Sequence, residues 1–254
     1  MGRAIFFSAV IGFFGNRVCA QDSGAIQTDR PDQTESPYIV PRGMLQVELG
    51  SAYEQSTPTI SEWVHPTSLI KYGVNDKFEL RLITDYGTEK TPDKSETGMS
   101  PITLGFKGML GEEKGVLPKI SFIGHLTIPH ASSESLKNDF YAPAFRFLCQ
   151  HTLSKTVNLS YNFGAEWDGY TAVPTFIYTV SAGFSLGEKM GSFIEVYGFA
   201  PQTSTADHRA DAGLTYLVTK NIQLDASGGI GITENAPDYF LSGGLSFRFK
   251  TKKS

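Results

Sequence analysis

Charged side chains recur within otherwise apolar runs of this sequence, spaced so that they fall on alternate positions. Glu48, Glu79, Arg81, Asp85, Lys107, His125, Arg146, Glu166, Glu195, Asp211, Asp225 and Arg248 all sit in this way, with both signs present and acids in excess. Residues two apart share one face of a strand. Such a face can hold a hydrated charge network or line a narrow polar path for a small solute. A second charged group, Asp29, Arg30, Asp32 and Glu35, precedes the first of these runs. There Pro31, Pro37 and Pro41 oppose a helix, so the stretch reads as extended or turning.

Other arrangements with chemical potential do not assemble. Gly183-Phe184-Ser185-Leu186-Gly187 matches a nucleophile elbow, but that motif needs a strand turning into a helix, and here an alternating strand enters a turn. His125 and His130 lie five apart and His151 precedes Ser154, with no spacing that makes a metal set or a triad. Gly228-Gly229-Ile230-Gly231 is followed by no helix, unlike a phosphate loop. No catalytic residue, metal site or cofactor is therefore assigned.

The elements that carry the charges are strands. Val157, Leu159, Tyr161, Phe163, Ala165 and Trp167 alternate with Asn158, Ser160, Asn162, Gly164, Glu166 and Asp168. The same period of two organises residues 176–186, 222–233 and 239–249, and less regularly 45–53, 78–86, 102–110, 120–128, 141–149 and 210–218. With 63–72 and 193–199 this makes about twelve strands of roughly ten residues, the length that crosses a bilayer at a steep tilt. Short turns at 73–77, 154–156, 187–191 and 219–221, and a longer one at 111–118, alternate with polar loops at 55–61, 88–98, 129–139, 168–174, 200–208 and 234–238. Helical periodicity is confined to a possible turn at 132–138.

Strands, an even count and connections alternating in length describe an all-β, up-and-down transmembrane barrel with short periplasmic turns and longer extracellular loops. Aromatics at strand ends, including Tyr53, Trp63, Tyr72, Phe78, Tyr86, Trp167, Tyr239 and Phe249, fit its interfacial girdles. A soluble sandwich would have shorter strands and no alternation of loop length. Pro66 falls inside the second strand, where it removes a ladder donor; a bulge is the expected repair, or a strand boundary that stops short of it.

Arg3, the apolar run Ala4 to Phe14 and Val18-Cys19-Ala20 read as a leader cut before Gln21. The expected organisation is a signal peptide at 1–20, a polar segment at 21–42, a barrel at 43–250 and a tail at 251–254. The cut removes Cys19, and Cys149 alone cannot form an internal disulfide. The formal net charge of −4 becomes more negative with the loss of Arg3 and Arg17, which excludes nucleic acid as a partner.

One stretch resembles a known family. Thr28-Asp29-Arg30-Pro31-Asp32-Gln33-Thr34-Glu35-Ser36, then Val40-Pro41-Arg42-Gly43 and Gln46-Val47-Glu48-Leu49-Gly50, are similar to outer-membrane proteins of the phenol meta-pathway degradation family, which are labelled as transporters. Leu69 to Val74, Glu79 to Leu82, Gly124 to Pro129, Asp211 to Tyr216 and Asn221 to Asp225 extend the resemblance over roughly residues 26–250. It implies an outer-membrane β-barrel that passes small aromatic or other hydrophobic compounds. One departure is that Phe249 is followed by Lys250-Thr251-Lys252-Lys253-Ser254, where such barrels usually finish on an aromatic.

The sequence thus points to an outer-membrane channel for passive passage of small solutes, with the twelve alternating charges in the lumen. Selectivity is expected from Glu79, Arg81, Asp85, Arg146 and Glu166, and Asp29, Arg30, Asp32 and Glu35 are the candidate plug. Its expected partners are outer-membrane lipid, a small solute and the barrel-assembly machinery. The competing readings are a barrel enzyme acting on lipid or peptide and a non-conducting structural or surface-interaction barrel.

Overall fold

A computed structural model describes residues 24–251; the expected leader and its cleavage site lie outside the described residues. Thirteen strands follow in order: β1 (Met44–Thr57), β2 (Ile60–Asn75), β3 (Phe78–Lys90), β4 (Ser95–Met99), β5 (Thr103–Gly111), β6 (Lys119–Thr127), β7 (Ala142–Thr152), β8 (Val157–Glu166), β9 (Thr175–Ser185), β10 (Met190–Pro201), β11 (Asp207–Thr219), β12 (Ile222–Gly231) and β13 (Tyr239–Lys250). Twelve of them form the wall, each antiparallel to its neighbours. β4 pairs only with the far end of β3, from Tyr86 to Lys90. The sheet closes where β1 meets β13, in unbroken register from Met44 against Lys250 to Gln55 against Tyr239. Closure matters because lipid offers no partner to an open sheet edge.

Burial is inverted relative to a soluble protein. Leu80, Leu104, Ile194 and Leu241 are each more than half exposed, whereas Glu48, Glu79 and Lys107 are completely buried. The apolar face of every strand therefore points outward to lipid and the polar face inward. An aromatic stripe, Phe78, Phe106, Phe122, Phe147 and Phe163, crosses the outer wall from β3 to β8 with ring centroids 5.2–6.1 Å apart.

Pro66 is accommodated by a bulge. The β2–β3 register jumps between Val64 and Thr67, and the β1–β2 register shifts between Gly50 and Ala52. The amide of Ser68 donates to the Asp85 carboxylate at 3.1 Å, so a side chain supplies an acceptor beside the broken ladder. Two connections differ from expectation. β1 and β2 are separated only by Pro58 and Thr59, and the stretch 88–98, expected as a loop, extends β3 and forms β4. Both hairpins keep their ladders to the tip, with Thr57 paired to Ile60 and Lys90 paired to Ser95.

Candidate functional site in the barrel lumen

Residues 24–42 carry no strand or helix and run through the lumen before β1 begins. Ile26 donates its amide to the Lys220 carbonyl in the short β11–β12 turn, and Arg248 bonds the Gly24 carbonyl, so the segment starts at the short-turn end. It reaches Glu48 and Asp225 partway along the wall, turns through residues 30–35 and returns past Ser121 and Glu79.

A backbone buried without secondary structure must find partners elsewhere. Here the wall supplies them. The amides of Asp29 and Arg30 donate to Glu48, at 3.0 and 3.2 Å. Gln33 donates to Glu195 at 2.7 Å, Glu35 to Asn162 at 2.7 Å and Val40 to Glu79 at 2.7 Å. The segment's carbonyls are met by Lys107 at Ser36 (2.7 Å) and by Ser121 at Pro37 (2.6 Å). The acid excess noted in the sequence is explained in part by this need for acceptors.

Two adjacent residues anchor the segment. The Asp29 carboxylate meets three buried cations: Lys71 at 2.8 Å, Arg81 at 2.9 Å and Lys107 at 2.9 Å. Glu48 and Glu79 balance them, Glu48 lying 2.5 Å from Lys71 and Glu79 3.2 Å from Arg81. Arg30 points the opposite way, to Asp225 and Ser242 at 3.0 and 2.9 Å. Its guanidinium lies against Gly50 and Gly244, which face each other across the β1–β13 seam. A methyl group at either position would collide with it. Glu35 completes the set with a 2.7 Å bond to Arg81, and Asp32 accepts from Ser181 at 3.1 Å.

The twelve sequence-derived wall residues divide by role. Glu48, Glu79, Arg81, Lys107, Glu195 and Asp225 contact the segment directly, so they sit beneath it rather than along an open path. Arg248 contacts it at the short-turn end. Asp85, His125 and Arg146 line a cavity of about 270 Å³ on the loop side of the segment, together with Arg81, Leu69, Ile83 and Glu35. Arg146 is held loosely, 3.6 Å from Glu166. Asp211 is buried on β11 with Oδ1 unpaired. A second cavity of about 830 Å³ opens at the short-turn end, lined among others by Gln46, Lys119 and Arg248.

Sequence reasoning missed Lys71 and the polar group Thr34, Asn162 and Thr179. Lys71 was hidden by the bulge. Trp63 and Lys71 lie eight apart and by simple alternation share a face, yet Trp63 is 53 % exposed on the lipid side and Lys71 is 1 % exposed in the lumen. The Gly183–Gly187 motif runs from β9 into a turn. His151 faces outward, stacked with Tyr161. Among the described residues no group of three His, Cys, Asp or Glu is placed to hold a metal ion.

A closed antiparallel wall, apolar outside and charged inside, with the chain's own N-terminal segment in the lumen, defines an outer-membrane-type β-barrel. Among proteins of that class, the chain belongs to the family described as "Putative MetA-pathway of phenol degradation", whose sequence profile matches residues 28–249. An outer membrane channel from Pseudomonas putida F1 has a similar structure, with a TM-score of 0.71 at 11 % identity over 86 % of this chain and all of that one. The KdgM porin gives 0.57 at 9 % identity over 80 % of this chain and 99 % of that one, and the NanC porin 0.56 at 10 % over 80 % and 98 %. No curated protein matches the chain.

Proposed function

We propose that this protein is an outer-membrane channel for passive passage of small solutes, with residues 43–250 as the conducting barrel and 21–42 as a plug. The observation that carries the reading is the arrangement of the lumen. Cavities of about 270 and 830 Å³ lie at its two ends, and the anchored segment separates them. A twelve-stranded barrel is wider than the eight-stranded size that side chains fill and narrower than a sixteen-stranded porin. One short segment therefore suffices to restrict it. The family description and the porin-like fold support this reading, and the family's link to phenol degradation favours aromatic or hydrophobic solutes. Outer-membrane lipid and the barrel-assembly machinery are the partners such a protein needs.

Single-channel recording in planar bilayers tests the proposal, with full-length protein and a variant lacking residues 24–42. Small, discrete openings that grow several-fold on deletion are expected. Silence from both forms, when gel migration shows a folded barrel, would refute it.

A further inference from the structure

We propose that Asp29 and Glu35 occupy a carboxylate-binding socket that a small organic acid takes over during passage, so that the segment stands in for the solute. The inference rests on the channel reading above and names a solute class for it.

The socket is built from Lys71, Arg81 and Lys107, whose side chains are at most 2 % exposed. Glu48 and Glu79 offset only part of their charge. Buried cations left without an anion are strongly destabilising. The segment therefore cannot leave the lumen at low cost unless another anion enters, and exchange of one carboxylate for another conserves the charge balance.

An entering acid has a route to this position. The 270 Å³ cavity opens onto Arg81 from the loop side and is lined by both Glu35 and Asp29. The two differ in access: the Glu35 side chain is 15 % exposed and Asp29 only 4 %. A solute thus meets the Glu35–Arg81 contact first and the Asp29 cluster second. Arg146, only loosely engaged by Glu166, offers an initial cation, and the His125 Nε2 beside it has no hydrogen-bond partner. Leu69 and Ile83 oppose each other across β2 and β3 on the same cavity wall, an apolar pair among charged neighbours. Together these groups fit a carboxylate carrying an apolar body.

The rim of the barrel sharpens the choice. Glu54, Glu62, Glu89 and Glu96 lie in one cross-strand row on β1 to β4 and repel simple anions at close range, an effect screened beyond about 8 Å at physiological salt. An acid whose apolar part gains from Leu69 and Ile83 recovers what chloride cannot.

The test places a reporter on the segment of the full chain. Ser36→Cys lies on the segment directly after Glu35, and its labelling by an uncharged thiol reagent is measured in refolded protein, with the parent protein giving the background from buried Cys149. Benzoate at ~50 mM is expected to speed labelling about fivefold, by favouring the state in which the segment is displaced. Benzyl alcohol and chloride, at matched concentration and ionic strength, are expected to leave the rate within about twofold. Adding Glu35→Gln should lower the benzoate concentration needed for the effect, since one competing carboxylate is gone. Equal rates in benzoate, benzyl alcohol and chloride would overturn the proposal, whether or not the protein conducts. Benzoate-specific labelling in a protein that shows no conductance would uphold the socket and refute the channel.

Discussion

Arg81 and Arg146 look alike in the sequence, as two arginines on alternating strands, but they do different work. Arg81 binds Asp29, Glu35 and Glu79 at once and is 4 % exposed. Replacing it strands buried carboxylates, so Arg81→Gln should destabilise the folded protein by roughly 3–5 kcal/mol. Arg146 has one loose partner at 3.6 Å and faces the cavity. Arg146→Gln should leave thermal stability nearly unchanged and shift the reversal potential toward cations. Heat-dependent gel migration and bilayer recordings separate these outcomes. Equal effects of both substitutions on stability would show that the two arginines are equivalent. At the seam, Gly50→Ala should displace the Arg30 guanidinium, whose atoms are the nearest to an added methyl there, while the ladder stays paired. Openings larger than wild type, without loss of heat-modifiable migration, are expected from it.

Among the elements, β2 shows how a single residue redirects a strand. The bulge at Pro66 turns Trp63 to lipid and Lys71 to the lumen. Without that shift the socket would lack one of its cations. The far ends of β1 to β4 carry a cost instead. Glu54 opposes Glu62, Glu62 opposes Glu89 and Glu89 opposes Glu96, and like charges directly across strands repel. Arg209 relieves Glu54 at 2.8 Å and Lys94 relieves Glu96 at 2.8 Å. Among the described residues Glu62 and Glu89 have no such partner. Glu62→Gln should therefore raise stability by about 0.5 kcal/mol at low salt, with the gain shrinking as salt is added. Chemical denaturation at two ionic strengths would measure it.

The β8–β9 loop offers a pH-dependent element outside the wall. The amides of Thr171 and Tyr170 donate to Asp168 at 2.8 Å each and hold its carboxyl below the ordinary carboxylate range. A depressed folded pKa means that the loop gains order from Asp168 above the unfolded value near 3.9 and loses it as pH falls through the folded one. NMR titration should show the Tyr170 and Thr171 amides changing only below about pH 3.9, and Asp168→Asn should abolish the transition.

On the scale of the whole molecule, stability comes from closure. Every wall strand is paired on both sides, and the residues of 44–250 close the ladder without help from the segment. The variant lacking 24–42 should accordingly fold to a heat-modifiable barrel, although one weakened by the bare charges around Lys71, Arg81 and Lys107. Failure to reach a folded form would mean that the segment is needed for assembly as well as for restriction.

Strand number, the outward and inward faces and the identity of most luminal charges could be read from the chain, because alternation in an extended strand is a local property. Glu48, Glu79, Arg81, Lys107 and their counterparts were legible for that reason, as was the charged group from Asp29 to Glu35. The partners of these charges were not. Lys71 needed the bulge to reach the lumen. Glu48 and Glu195 accept the segment's amides only because residues 24–42 fold back inside, and Arg30 finds its seat only where β1 and β13, the two ends of the barrel, come together. The sequence alone determined a closed wall with a charged interior. Tertiary structure decided which charges meet, since closure and the returning segment join residues nearly two hundred positions apart.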